Sequence, residues 1–219
     1  MKVLLLIVAV LFSFSVAHAQ SGNWTDERGA FTVAVPANWV AGEGRIPVSG
    51  DKLLVIQSQA MIDHVPEPRT FFAQECSIGR ILHPEMAGDQ AALNAMLEDG
   101  RLLEFVIRMA FPTREHSRAN EVIQGVRVVS YDLEIDVARG PLAVIGRVVR
   151  PDAPFPEVGP YRMMMRMFQL READGAAQYI MVCQAYPLGD AANELDEMAG
   201  FLASLSFNSA PKRAANPRL

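Results

Sequence analysis

The chain has 219 residues, half of them apolar, a formal net charge of −5 and two cysteines. This length suits one ordinary domain with its own core, and the apolar content excludes a disordered chain. Lysine occurs only at positions 2, 52 and 212 and no basic cluster exists, which argues against binding to nucleic acid or anionic lipid.

Lys2, the apolar run over residues 3–16 and Ala17-His18-Ala19 match the positive region, hydrophobic region and small-x-small cut site of a secretion signal. The expectation is cleavage after Ala19, a mature chain starting at Gln20 and a periplasmic or secreted location. Loss of Lys2 takes the net charge from −5 to −6. The apolar run is shorter than the ~20 residues that a membrane helix needs. No cysteine near the cut offers a lipid anchor. Membrane insertion after cleavage is therefore not expected.

Phe31-Thr32-Val33-Ala34-Val35 alternates as a strand and meets Pro36, so a turn over residues 36–39 is expected, with Trp39 plugging the core. Gly42, Gly44, Pro47, Ser49 and Gly50 read as a loop, and residues 52–59 as the returning strand. Three prolines between residues 61 and 85 predict a long irregular excursion carrying Cys76, with a short strand or helical turn around residues 71–82. Asp89 is a good N-cap for helix formers 90–98, which Asp99-Gly100 stops. Residues 101–111 read as a buried helix, with a strand as the competing assignment.

The remainder reads as β. Residues 121–137 alternate as a strand, residues 138–141 turn, and residues 142–150 return. Residues 151–160 form a Pro-rich loop. Strands over 161–170 and 178–185 are joined through Asp174-Gly175, a strong hairpin signal. Asp190 is expected to cap a last helix over 191–203 with Leu195, Met198, Ala199 and Leu202 inward. A Pro-, Ala- and Arg-containing tail follows from Ser206. Hairpins with few helices and no βαβ alternation predict an α+β fold: an antiparallel sheet flanked by helices on both faces, an α/β/α sandwich. The expected division is a signal peptide over 1–19, a single α+β sandwich domain over 20–208 and a disordered tail over 209–219.

Cys76 and Cys183 are expected to form one disulfide, because the compartment is oxidising and the count is even. Cys-x-x-Cys is absent, so a thioredoxin-like centre has no support. Met163, Met165 and Met167 fall on one strand face, with Met164 and Arg166 on the other. Thioether clusters bind Cu(I), but methionine also fills irregular cores. Core packing is the favoured role of these three and metal binding the alternative, because no neighbouring histidine supports a site.

Asp132, Glu134 and Asp136 share a strand face too widely spaced for one cation, and read as a solvated edge face opposite Arg162 or Arg147 whose charges guard an exposed strand against edge-to-edge pairing. His64, His83 and His116 are read as surface residues in loops without zinc-ligand spacing. Ser49-Gly50-Asp51-Lys52 and Ser209-Ala210-Pro211-Lys212 match Ser-x-x-Lys, yet neither sits at a helix start, so neither is read as a catalytic centre. Gly42-Glu43-Gly44 lacks the third glycine and flanking elements of a nucleotide loop, and Asn23-Trp24-Thr25 matters only in a eukaryotic secretory pathway.

Three landmarks carry a resemblance to a known family. Phe31-Thr32-Val33-Ala34-Val35-Pro36-Ala37-Asn38-Trp39 resembles the F-x-V-x-V-P-x-x-W entry of the PsbP-like α/β/α sandwich superfamily. The hairpin ending Tyr179-Ile180-Met181-Val182-Cys183-Gln184, and the closing helix running into Leu202-Ala203-Ser204-Leu205-Ser206-Phe207, look like later elements of that superfamily. The resemblance implies an accessory or binding protein without catalysis of its own, and carries over no functional residue. The leading expectation is an exported, non-catalytic accessory or binding protein with no cofactor, an unknown partner or ligand, and an undetermined oligomeric state. Its alternatives are a periplasmic Cu(I) handler using Met163, Met165 and Met167, and an enzyme whose site is assembled from distant loops.

Overall fold

A computed structural model of the chain describes residues 16–18, 22–45, 52–59, 73–86, 88–99, 113–136, 160–173, 175–186 and 194–208. In chain order the elements are β1 (Val16–His18), β2 (Gly22–Thr25), β3 (Phe31–Val35), β4 (Trp39–Arg45), β5 (Lys52–Ser58) and β6 (Ala73–His83). Helix α1 (Gln90–Asp99), β7 (Thr113–Ile123), β8 (Val126–Asp136), β9 (Pro160–Glu172) and β10 (Gly175–Tyr186) follow, and α2 (Leu195–Ala203) and β11 (Ser206–Phe207) close the chain. An eight-stranded sheet runs β1-β4-β5-β6-β10-β9-β8-β7 and a three-stranded sheet runs β11-β3-β2. Every strand pairing in both is antiparallel. Among the described residues the chain is mostly strand with two helices, and no helix is long and apolar enough to cross a membrane.

The core lies where the small sheet and α2 meet one face of the large sheet. The alternation of β3 buries Phe31, Val33 and Val35 there. Phe31 meets Phe168 of β9 and Tyr179 of β10 edge-on, at centroid distances of 5.2 and 5.0 Å. Phe168 stacks on Tyr179 at 5.1 Å and receives Phe207 of β11 at 5.0 Å. Met198, Phe201 and Leu202 of α2 join the same cluster, as does Trp39, whose Nε1 donates to Glu197 of α2. Trp39 therefore plugs the core as the Pro36 turn predicts, with its N–H closing on the Pro36 carbonyl at 3.1 Å.

Several expectations are corrected. Gly42 and Gly44 lie inside β4 instead of a loop; pairing with β5 holds both extended, and Gly42 also pairs with Ala17 of β1. Cys76 sits on an 11-residue strand, β6, so the short strand expected around residues 71–82 is present but longer and regular; pairing along its whole length with β10 overrides its mixed polarity. The alternating stretch from residue 121 is two strands, β7 and β8, turned at Gln124-Gly125. Pro160 opens β9, where a loop residue is expected.

Helix α2 buries Met198, Phe201 and Leu202; Leu195 is partly buried, and Ala199 faces out where an inward position is expected. Phe201, three residues after Met198, takes an inward position beside Leu202. Ser206 and Phe207 pair with β3 as β11 before the tail begins. Asp89 caps α1 as expected, its Oδ1 accepting the Ala92 N–H at 2.9 Å. The expectations for residues 1–15, 101–111, 138–141, 142–150, 151–159, 190–193 and 209–219 fall outside the described residues.

Candidate functional site

Cys76 and Cys183 are direct register partners across β6 and β10. Their sulfurs are bonded, with Cα atoms 4.0 Å apart and 107 residues between them in sequence. Both half-cystines are fully buried in the core face of the large sheet. The expected disulfide is thus a cross-strand staple at the centre of the fold.

The register places Met163, Met165 and Met167 on the opposite face, as their spacing implies. They are 0, 1 and 0% exposed. Met167 lies between Val129 and Ile180, Met165 between Tyr131 and Val182, and Met163 between Leu133 and Gln184. Five of these six neighbours are apolar or aromatic, an environment for thioethers used as packing. Met164 instead joins the core on the disulfide side.

Two polar constellations stand out. The first binds the small sheet to the large one. Glu172, near the end of β9, accepts from the Tyr179 hydroxyl at 2.7 Å and from Arg80 Nε at 3.2 Å; its other oxygen takes a second Arg80 nitrogen and Arg28 Nε, the latter at 3.3 Å. Burial opposes ionisation of Glu172, but the hydrogen bonds from Arg80 and Tyr179 and the nearby positive charges outweigh it and hold the carboxyl below its usual range. Burial, followed by the bond to Glu172, pushes the Tyr179 hydroxyl up. Asp26, in the β2–β3 turn, is raised by burial against the opposing backbone N–H groups of Arg28 and Ala30. Both Glu172 oxygens are occupied by donors, so the group clamps the two sheets and has no oxygen left over to act as a base.

The second constellation shares the face of the methionines. Gln57 of β5, Glu75 of β6, Gln184 of β10 and Met163 of β9 form one cross-strand row through the pairs Gln57↔Glu75, Glu75↔Gln184 and Gln184↔Met163. Gln57 Nε2 donates to Glu75 Oε2 at 3.2 Å. Gln184 is buried, as is Ser77 one row further along β6. Burial pushes the Glu75 carboxyl up from 4.5 to about 7, and only the Gln57 bond pulls it down. A carboxyl that titrates near neutrality among amides both donates and accepts hydrogen bonds, which suits recognition of a polar, uncharged group. The row of Gln57, Glu75 and Gln184 is the candidate binding feature taken from the described residues.

The remaining sequence candidates scatter. Asp132 and Glu134 share a face as expected, and Arg162 Nε donates to Asp132 Oδ1 at 2.7 Å. They do not lie on an edge strand, because β7 covers β8. His83 and His116 lie on strands instead of loops. His83 ends β6 with Nδ1 3.4 Å from Glu85 Oε1, and His116 falls at the register shift of β7. Asn23 lies exposed on β2, and Lys52 opens β5. Ser49, His64, Arg147 and the Ser209 motif fall outside the described residues. Among the described residues no group of three His, Cys, Asp or Glu is placed to hold a metal ion. The Gln57, Glu75 and Gln184 row has only a faint sequence signal: one carboxylate and two amides set among the apolar residues of three separate strands.

No protein-family model matches the chain, and neither does any curated protein. Similar solved structures include the cyanobacterial PsbP protein CyanoP of Synechocystis, at 8% identity and a TM-score of 0.47, covering 88% of this chain and 95% of that one. LpqN of Mycobacterium tuberculosis, described as involved in cell envelope biogenesis, matches at 8% identity and a TM-score of 0.40, covering 90% and 91%. A protein of Bacteroides thetaiotaomicron matches at 8% identity and a TM-score of 0.43; the match takes in 88% of this chain and half (50%) of that one. At these identities and TM-scores the matches transfer no ligand, partner or site.

Proposed function

We propose that the chain is an exported, non-catalytic accessory or binding protein of the bacterial cell envelope. Its layering is read as α/β/α, with α2 on the disulfide face of the large sheet and α1 on the methionine face. The observation that carries the proposal is the buried Cys76–Cys183 bond at the middle of the sheet. A structural disulfide of this kind belongs to an oxidising compartment, and the cut site at Ala17-His18-Ala19 supplies the route there. The row of Gln57, Glu75 and Gln184 is the proposed binding feature, and Met163, Met165 and Met167 are proposed to be packing residues.

N-terminal sequencing and thiol alkylation of the protein recovered from the envelope fraction test this reading. The expected chain begins at Gln20 and carries no free thiol. Reduced cysteines in a cytosolic chain sink the proposal. Turnover in a broad hydrolase screen, abolished by single substitutions, overturns its non-catalytic part. Anaerobic Cu(I) titration of the wild type, Met163→Leu and Met165→Leu decides the role of the methionines: equal, weak binding by all three is expected.

A further inference from the structure

The outermost strand at one end of the large sheet is built from the segment that export removes. β1 pairs with β4 through Val16↔Glu43, Ala17↔Gly42 and His18↔Ala41, and a cut after Ala19 takes away all three of its residues. Among the described residues, β4 then keeps β5 as its only strand neighbour, and its outer row of N–H and C=O groups becomes an edge.

The two ends of the sheet differ in how they meet this exposure. β7, at the far end, bears Arg114, Glu115, Arg118 and Glu121 and a register shift between Glu115 and Ser117. Charges and bulges of this kind obstruct the addition of a further strand. β4 carries only two charged residues, Glu43 and Arg45, both in its second half, and pairs with β5 in unbroken register from Trp39 to Arg45. Trp39 and Ala41 belong to the buried core, so an incoming strand would prolong an existing apolar face.

We propose that β4 of the mature chain is a docking edge that takes an extended segment of a partner protein as an added antiparallel strand, in the position β1 holds here. The inference rests on the export reading above. β1, Val16-Ala17-His18, shows the chemistry of the occupant: a short extended stretch of small or apolar residues that admits a histidine and is free of proline, so that its N–H groups can join the ladder. A second copy of the chain fits less well. Pairing two 7-residue strands buries far less than the roughly 1,200–2,000 Å² of a stable interface, whereas a flexible segment needs only main-chain bonds and a few side-chain seats.

The test compares two forms of the protein, one starting at Val16 and one at Gln20, by hydrogen exchange of β4. Each is measured alone, with a synthetic peptide of residues 14–19, and with that peptide carrying Ala17→Pro. The β4 amides that bond to β1 are expected to exchange about fivefold faster in the shorter form, since each lost hydrogen bond is worth about 1 kcal/mol. The peptide should restore protection and its proline variant should not. Equal exchange in the two forms, or equal protection by both peptides, overturns the proposal. Concentration-dependent dimers of the Gln20 form that protect β4 also overturn it, in favour of a second copy. N-terminal sequencing of the exported chain reports separately: a chain retaining residues 16–18 defeats the export reading, while the exchange data still state whether β4 accepts a strand.

Discussion

At Gly175 the chain enters β10 with φ of +138°, and a Cβ there would lie 2.7 Å from Pro84 Cα and 2.8 Å from the His83 carbonyl oxygen. Both neighbours are backbone, so neither yields by a rotamer change. Gly175→Ala is expected to lower stability by about 2 kcal/mol or more, from the left-handed conformation and the clash together, as urea melts would show. The turn itself is legible in Asp174-Gly175, but the backbone pressing against it is not, because residues 83 and 84 are remote in sequence. Glu75 behaves likewise, since only the register of three strands reveals its neighbours. Its folded pKa of about 7 lies above the ordinary 4.5, so the native state holds the extra proton. Stability contributed by this group is full below pH 4.5 and is lost as pH rises through 7. Glu75→Gln is therefore expected to stabilise the protein relative to wild type at pH 8, by up to about 3 kcal/mol. The difference should vanish below pH 4.5, and melting curves across pH check it. Glu172 has the opposite sign: its contribution is present above the usual carboxylate range and is lost on acidification through its lowered folded value.

Strand boundaries show which signals a chain advertises. The β7–β8 hairpin escapes notice because Gln124 adopts φ of +48°, ahead of Gly125 at +85°, without the asparagine or aspartate that marks such turns. Its side chain supplies a compensation found only in three dimensions: Oε1 accepts the Phe207 N–H at 2.6 Å and anchors β11. Gln124→Gly should relieve about 1 kcal/mol of backbone strain and lose a hydrogen bond of similar worth. The expected result is nearly unchanged global stability with faster exchange of the Phe207 amide. α1 was more legible, because its cap at Asp89 is local. β6 was less so, because its strand character comes from β5 and β10, which lie on either side of it. At the sheet edge, the charges and register shift of β7 fill the protective role that the carboxylates of β8 suggest from sequence.

Over the whole molecule, one disulfide and one aromatic cluster join pieces far apart in the chain. Closing a loop across a separation of 107 residues restricts the unfolded chain, so the double substitution Cys76→Ala with Cys183→Ala should cost about 2–5 kcal/mol. A lower melting temperature with an unchanged far-UV spectrum is the expected readout. Phe31, Phe168, Tyr179 and Phe207 draw β3, β9, β10 and β11 into one core, and Glu172 ties the β2–β3 turn to β6 through Arg28 and Arg80. Local patterns alone determined the strand at Phe31–Val35, the capped helix at Asp89, the hairpin at Asp174-Gly175 and the shared face of the methionines. Each of these depends on residues within a few positions of one another. Only the tertiary structure decided the strand order, the exact opposition of Cys76 to Cys183, the left-handed turn at Gln124 and the meeting of Gln57, Glu75 and Gln184. Those features arise from register between distant strands, and periodicity along one strand carries no information about which strand lies beside it.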